Sequence, residues 1–183
     1  MSDFGEWVLD DLDGCIKVQG DRVSWVKADR HAVRYIGKKT SIGDFQHSFI
    51  VCFEDAYVED ELNRGLIRLW EIRNDWENRA WIYARKTGMG WTIHFEQKYK
   101  GEDLWAYHGE RFLVFGQRYV VEPSRAGDRY HLKVLREDSS VLVDMGWIDG
   151  VGQVYDWIWL ASTIKSRRNN KNWSTGYIVS IQM

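Results

Sequence analysis

Apolar and polar residues alternate along most of this chain, and no apolar stripe with helical spacing extends beyond about three turns. Alternation is typical of β-strands, whose successive side chains point to opposite faces. The pattern therefore predicts an all-β fold, with two or three strands in the first 40 residues. Nine further strands are predicted over residues 45–53, 65–72, 80–86, 91–99, 111–116, 129–137, 140–146, 155–163 and 175–183.

The segments between these strands favour turns, as in KTGMG, KYKGED, SRAGD and REDSS. Many short strands separated by turns predict a large antiparallel sandwich or barrel. Residues 54–64, in which Val58 and Leu62 lie four apart in an acidic run, fit a short helix and a solvated loop equally well. No linker or internal repeat divides the chain, so we predict a single domain over residues 1–183.

Composition narrows the function classes. The net charge is −2, which provides none of the positive field typical of proteins that bind nucleic acid or anionic membranes. No stretch approaches the roughly 20 apolar residues of a membrane helix.

The start MSDFGEWVLDD does not resemble an export signal, so we expect synthesis in the cytoplasm, and action on a particle or cell surface stays open. The 27 aromatic residues and the single proline favour long strands.

The hairpin predicted over residues 80–98 carries one apolar face and one mixed face. Its apolar rows are Ala80, Ile82 and Ala84 on the first strand and Trp91, Ile93 and Phe95 on the second. Its outer rows are Trp81, Tyr83 and Arg85 on the first strand and Thr92, His94, Glu96 and Lys98 on the second. Because the turn KTGMG joins these strands, the two outer rows lie side by side.

The strand before this hairpin is ambiguous, because neither of its faces is purely apolar. If Ile67 and Leu69 belong to the core, Arg68 and Trp70 point outward beside the outer rows. Aromatic faces pack on sugar rings, and charged side chains and imidazoles bond to sugar hydroxyls. This combination predicts a carbohydrate-binding face, although such a row can instead cover a second core layer. The predicted ligand-binding residues are Trp70, Trp81, Tyr83, Arg85, His94 and Glu96.

Four segments carry a resemblance to a known superfamily. They are FQHSFIVCF after SIGD, GLIRLWEIRND, RYHLKVLREDSSVLVDM and the closing YDWIWLASTIKS…WSTGYIVSIQM. Their pattern resembles the concanavalin A-like lectins and glucanases, the laminin-G-like jelly roll. The resemblance covers about residues 6–183 without a signature motif. It implies a two-sheet antiparallel jelly-roll β-sandwich with ligands on the concave sheet or its rim loops.

The superfamily includes enzymes, but its common catalytic arrangement is missing here. Retaining glucanases of this type carry Glu-x-Asp-x-x-Glu or Glu-x-Asp-x-Glu on one strand, and no Glu of this chain is followed two residues later by Asp. Glu71 and Glu96 could supply carboxylates from different strands, or could simply pair with neighbouring cations. No nucleophile elbow occurs. We therefore predict no catalytic residues.

Metal binding has little support in the pattern. No two of the five histidines form a zinc-binding pair, and His47, in phase with a core face, indicates a hydrogen-bonded buried imidazole. Laminin-G-like domains often hold calcium, so the acidic segments DDLDG at residues 10–14 and EDAYVEDE at residues 54–61 leave a structural calcium open. We otherwise predict no cofactor.

Three functions stay open at this point. The first is a non-catalytic module that binds carbohydrate on its concave sheet. The second is a structural protein such as a viral-particle or surface-layer subunit, and the third is a glycoside hydrolase or polysaccharide lyase with a non-standard site. Open sheet edges also favour association into a homo-oligomer. We expect neither nucleic acid nor membrane as a partner.

Overall fold

A computed structural model of the protein describes residues 4–29, 33–58, 67–88, 90–111, 113–163 and 172–183. After a 3-10 turn at Phe4–Glu6, these residues form β-strands only. The strands of the first half are β1 (Val8–Asp10), β2 (Ile16–Gln19), β3 (Arg22–Asp29), β4 (Arg34–Ile42), β5 (Phe45–Gln46), β6 (Ser48–Tyr57), β7 (Arg68–Arg73) and β8 (Arg79–Thr87). Those of the second half are β9 (Gly90–Tyr99), β10 (Glu102–His108), β11 (Arg118–Ala126), β12 (Arg129–Arg136), β13 (Val141–Asp149), β14 (Tyr155–Thr163) and β15 (Trp173–Gln182).

The strands form two antiparallel sheets. The seven-stranded sheet has the order β1-β4-β14-β7-β8-β9-β10. The eight-stranded sheet has the order β13-β12-β11-β6-β15-β3-β2, with β5 also paired to β11. This arrangement confirms the predicted all-β, two-sheet antiparallel jelly-roll sandwich. No helix of the described residues is long and apolar enough to cross a membrane.

The hydrophobic core lies between the sheets. Its largest fully buried side chains include Trp25, Trp70, Tyr130, Tyr155 and Phe49. Burial of this aromatic surface stabilises the sandwich by roughly 25 cal/mol for each Å² of apolar area removed from water. His47 is buried beside these rings and accepts a hydrogen bond from the Trp70 indole N–H at 3.2 Å, as its core phase predicted.

A buried polar contact joins the sheets inside this core. The Gln97 side-chain amide on β9 donates to the Tyr130 hydroxyl at 2.9 Å and to the Val151 carbonyl at 2.8 Å. Its carbonyl oxygen accepts from the Trp105 indole N–H at 3.0 Å. Gln97 is fully buried, and both ends of its amide are paired. It therefore links the two sheets without leaving a polar atom unsatisfied.

The predicted strand over 111–116 is wrong. Among the described residues of that segment, Leu113 makes only an isolated bridge to Trp91, and Gly116 then turns the chain with φ 79°. Residues 54–57 belong to β6, so the alternatives of a helix or loop fail there, while residues 59–66 lie outside the described part. The basic segment 165–171 is also outside it.

Four strands begin in the first 40 residues, where two or three were predicted, and the later strands β10 and β11 were not predicted. Pro123 interrupts the β11 pattern, yet it is tolerated because its neighbour strand is itself broken between β5 and β6. At this break the Pro123 carbonyl accepts a hydrogen bond from the His47 backbone N–H at 3.0 Å. The proline therefore lies where its missing N–H removes least from the sheet.

Candidate functional site

The predicted hairpin forms from β8 and β9 in the expected register. Trp81 lies opposite Glu96, and Tyr83 lies opposite His94. Ala80, Ile82, Ala84, Ile93 and Phe95 all belong to the core, as the alternation predicted. Trp81 and Tyr83 therefore lie on the side of the seven-stranded sheet that turns away from the other sheet. We call this side the outer face.

The outward placement of Trp70 is wrong. A β-bulge in β7 shifts the register between Arg68 and Trp70, and both Leu69 and Trp70 turn into the core with no exposed surface. The Trp70 ring lies 5.4 Å from that of Phe45. The extra residue of a bulge breaks strict alternation, so the spacing in the sequence assigned Trp70 to the opposite face.

The outer positions of β7 are taken by Arg68, Glu71 and Arg73, which form a buried ionic cluster. Glu71 has no exposed surface, and its Oε2 lies 2.8 Å from Arg68 Nη1. Its Oε1 lies 3.5 Å from Arg73 Nη1, and the Ser162 hydroxyl donates to Oε2 at 3.3 Å. Two guanidinium groups thus neutralise a carboxylate that burial would otherwise make costly.

Aromatic rings and guanidinium groups alternate across four strands of the outer face. Trp81 lies between Arg68 and Arg79, at 5.1 and 4.6 Å from its ring. Arg79 also contacts Trp76 at 5.3 Å, and Arg73 lies 4.0 Å from Trp76 and 4.1 Å from Trp159. The Trp–Arg ladder consists of Arg68, Trp81, Arg79, Trp76, Arg73, Trp159 and Tyr35, the last stacked on Trp159 at 3.8 Å.

The ladder decides which aromatic ring a ligand can reach. Trp81 is only 5% exposed. Trp76, in the β7–β8 turn, is 42% exposed. Trp76 therefore provides an aromatic ring open to solvent on this face. The Arg79 guanidinium packs between this ring and the buried Trp81.

A second, polar cluster lies on the same face beyond Trp81. The Tyr83 hydroxyl donates to Glu96, and the Tyr83 ring stacks on His94 at 5.1 Å. His94 Nε2 lies 2.8 Å from the Thr92 hydroxyl oxygen, and its Nδ1 lies 2.6 Å from Nδ1 of His108. The outer face therefore holds five of the six predicted ligand-binding residues. The sixth, Trp70, lies in the core.

The electrostatics of this cluster keep His94 neutral at pH 7. Burial lowers its pKa to about 4, and the neighbouring His108 and Arg85 act in the same direction. A neutral imidazole can accept or donate one hydrogen bond at each nitrogen, but it has no proton to give as an acid near neutral pH. Both His94 nitrogens already have partners, Thr92 and His108, so the neutral ring links the buried groups of the cluster to one another.

Glu71 and Glu96 do not form a close pair. Both lie opposite Trp81, on strands either side of β8, which separates their backbones by about 10 Å. Each carboxyl group already has partners, Arg68 and Arg73 for Glu71 and Tyr83 for Glu96. A retaining glycosidase uses two carboxyl groups as nucleophile and acid, whereas both carboxyl groups here are held by other side chains of the protein.

The acidic segment at residues 10–14 surrounds a cation of the chain itself. Arg34 is buried, and its side chain forms ion pairs with Asp11 at 3.5 Å, Asp29 at 3.2 Å and Asp13. These carboxylates therefore bind a guanidinium in this structure. Within the described ranges, no three His, Cys, Asp or Glu side chains form a group that could hold a metal ion.

A polar cleft of about 590 Å³ opens beside the polar cluster. His108 and Tyr107 of β10 form one wall, and Val141 and Asp144 of β13 contribute to the other side. Arg136 also lines it. His108 therefore connects this cleft to His94 on the outer face.

Most residues of the Trp–Arg ladder were not predicted from the sequence, although alternation indicates some of them. Glu71 and Arg73 are two apart on β7, and Arg79 and Trp81 are two apart on β8, so alternation places each pair on one face. Trp76 had no such signal because it lies in a turn. Tyr35 and Trp159 are remote in sequence and meet only through the pairing of β4 with β14.

The sequence matches no family model and no curated protein. Solved structures nevertheless share the architecture. A functionally unknown protein from Saccharomyces cerevisiae has a TM-score of 0.65 at 7% identity, over 99% of this chain and 98% of the other. The carbohydrate-binding module CBM66 from Bacillus subtilis has a TM-score of 0.58 at 13% identity, over 97% and 96%.

An alginate lyase from Klebsiella pneumoniae is a third neighbour. Its TM-score is 0.59 at 12% identity, and the match covers 76% of this chain and 59% of the lyase. At these identities the likeness concerns the fold alone. It agrees with a β-sandwich of the concanavalin A-like kind, which the resemblance in the sequence implied.

Proposed function

We propose that this protein binds carbohydrate on the outer face of the seven-stranded sheet. The observation that carries the proposal is Trp76, a 42% exposed ring with guanidinium groups of Arg73 and Arg79 packed against it. An exposed indole held rigid in this way offers a flat apolar surface to a sugar ring at low entropic cost.

The polar groups beyond the ladder support the same proposal. Arg85 is half-buried on the outer face beyond Trp81 and can donate to hydroxyl groups, whereas Tyr83, His94 and Glu96 are buried behind it with hydrogen-bond partners of their own. Two of the structural neighbours are by name a carbohydrate-binding module and an alginate lyase. Neither the described residues nor these neighbours support the alternative of a viral-particle or surface-layer subunit.

We assign no catalytic step to the face. The carboxyl groups of Glu71 and Glu96 come from strands on either side of β8 and already have partners within the protein. A catalytic role would require a group free to move a proton in contact with the ligand.

Affinity electrophoresis in gels containing soluble polysaccharides tests the proposal. The wild type should be retarded by at least one polysaccharide, and Trp76→Ala should run as in an empty gel. Trp147→Ala is the matched control, since Trp147 is 48% exposed on β13 of the other sheet. Retardation that survives Trp76→Ala, or a folded wild type that no polysaccharide retards, would overturn the proposal.

A further inference from the structure

The central strands of the outer face carry a surplus of positive charge. The outward positions of β7, β8 and β9 hold five cationic side chains and two carboxyl side chains in a chain whose net charge is −2. The cations are Arg68, Arg73, Arg79, Arg85 and Lys98, and the carboxyl groups are Glu71 and Glu96.

Three of these cations lie in one row. Arg73 on β7 is directly opposite Arg79 on β8, and Arg79 is directly opposite Lys98 on β9. Like charges at directly opposed positions destabilise a sheet. Such a row is the type of locally unfavourable arrangement found at functional sites, where an incoming ligand supplies the missing charge.

The two outer members of the row have carboxylate partners and the central one does not. Arg73 lies 3.5 Å from Glu71, and Lys98 lies 3.3 Å from Asp103. Arg79 forms no ion pair with any carboxylate in the described part of the chain, and its buried Nε and Nη1 have no hydrogen-bond acceptor. Burial and the charges of Arg68 and Arg73 lower the pKa of Arg79 to about 10, against the opposing effect of the Glu71 and Asp103 carboxylates.

Arg85 extends the same pattern along β8. It is half-buried, its Nε also has no hydrogen-bond acceptor, and its charge helps to keep His94 neutral. Two guanidinium groups with unmet donors therefore lie on either side of Trp81 and Tyr83. Guanidinium donors form a planar fork that matches carboxylate and sulphate groups better than isolated hydroxyls.

We propose, on the basis of the carbohydrate-binding function above, that the ligand is an acidic polysaccharide whose carboxylate or sulphate pairs with Arg79 while a sugar ring lies on Trp76. The shared chemistry is a sugar bearing a full negative charge. Charge complementarity selects it over a neutral glycan, because an anion would pair with Arg79, the one member of the row without an ion pair in the described residues.

Isothermal titration against paired polysaccharides tests this inference. Polygalacturonate carries carboxylates and is compared with its fully methyl-esterified, neutral form. Dextran sulphate carries sulphates and is compared with neutral dextran. At low salt we expect at least one acidic form to bind about tenfold or more tighter than its neutral counterpart. The difference should shrink as salt is added.

Variants locate the charge contact. Arg79→Met keeps an apolar stem between the two indoles and should reduce the affinity for the acidic form to that for the neutral form, whereas Arg79→Lys should restore part of it. Arg129→Met is the matched control, since Arg129 packs 5.6 Å from the exposed Trp147 on the other sheet. If Arg79→Met does not fold, Arg85→Gln and the wild-type salt dependence take its place.

The outcomes separate this inference from the proposed function. Equal binding of acidic and neutral forms would overturn the inference and leave carbohydrate binding standing. Binding of no glycan by the folded protein would overturn both. Equally tight binding of a single-stranded oligonucleotide would also overturn the inference, because it would show a general polyanion site.

Discussion

His94 on β9 and His108 on β10 are joined through their Nδ1 atoms, which lie 2.6 Å apart. One ring must carry a hydrogen at this atom and the other must present a lone pair. Two protonated rings would both donate and the contact would break. This side-chain contact between β9 and β10 therefore requires at least one neutral imidazole.

Acid should destabilise the fold through His94. The unfolded imidazole takes up a proton near pH 6.5, whereas burial holds the folded pKa at about 4. The unfolded state thus binds more protons between these values, so stability is full above about pH 6.5 and falls as the pH drops toward 4. Over the whole window the loss is on the order of 3 kcal/mol.

Urea denaturation at pH 7, 6 and 5 measures this effect. His94→Gln should show a shallower fall than the wild type, although burial also lowers the pKa of His47 to about 4 and leaves a residual slope of the same sign. Ile72→Val, a core change without a titrating group, should keep the wild-type slope. An unchanged slope in His94→Gln would contradict the account.

Trp70 should be essential for stability. It is fully buried, and its indole N–H is bonded to His47. Trp70→Ala should lower the free energy of unfolding by about 3–5 kcal/mol. Trp147→Ala, at a 48% exposed position, should change it by about 0.5 kcal/mol or less. Equal losses in the two variants would show that Trp70 is not a core residue.

Gly176 on β15 should not tolerate a side chain. A Cβ there would lie 2.4 Å from the Cys52 carbonyl oxygen and 2.7 Å from the Trp25 ring. Gly176→Ala should therefore cost about 1–3 kcal/mol through overpacking. Gly43→Ala is the control, since nothing lies within 4 Å of its added Cβ. Thermal melts compare the two, and a Gly176→Ala variant as stable as the control would contradict the packing described.

Arg34 should stabilise the loop before β2 as a counter-ion. The Asp11 side chain is 1% exposed and lies 3.5 Å from Arg34 Nε. Arg34→Met would leave this carboxylate buried without its partner, at a cost of about 3–5 kcal/mol. Adding Asp11→Asn to Arg34→Met should recover part of the loss, and chemical denaturation of both variants shows whether it does. Lys38→Met, which removes an exposed pair with Glu6, should leave the melting temperature unchanged.

Strict alternation made β8 and β9 predictable from the sequence. Their apolar rows are unbroken, so the spacing of residues was enough to assign Trp81, Tyr83, His94 and Glu96 to one face. The bulge in β7 could not be read this way, because Leu69 and Trp70 both enter the core. A bulge reflects how β7 pairs with β8, and the order of apolar residues does not record it.

Two further strands were missed for different reasons. β10 is an edge strand, and most of its side chains are exposed, which removes the apolar alternation that predicts strands. In β11, Pro123 interrupts the pattern that predicts a strand, although residues 119–126 all pair with β12. The run at 111–116 is largely apolar, yet of its described residues only Leu113 bridges to a strand, because apolar character does not by itself supply a sheet neighbour.

A glycan array tests whether the outer face around Trp76 binds carbohydrate. The wild type, Trp76→Ala and Trp147→Ala should be compared on one array, with and without calcium. We expect the wild type and Trp147→Ala to bind at least one glycan reproducibly, and Trp76→Ala to lose this binding. A folded wild type that binds no glycan, or glycan binding that Trp76→Ala leaves unchanged, would contradict it.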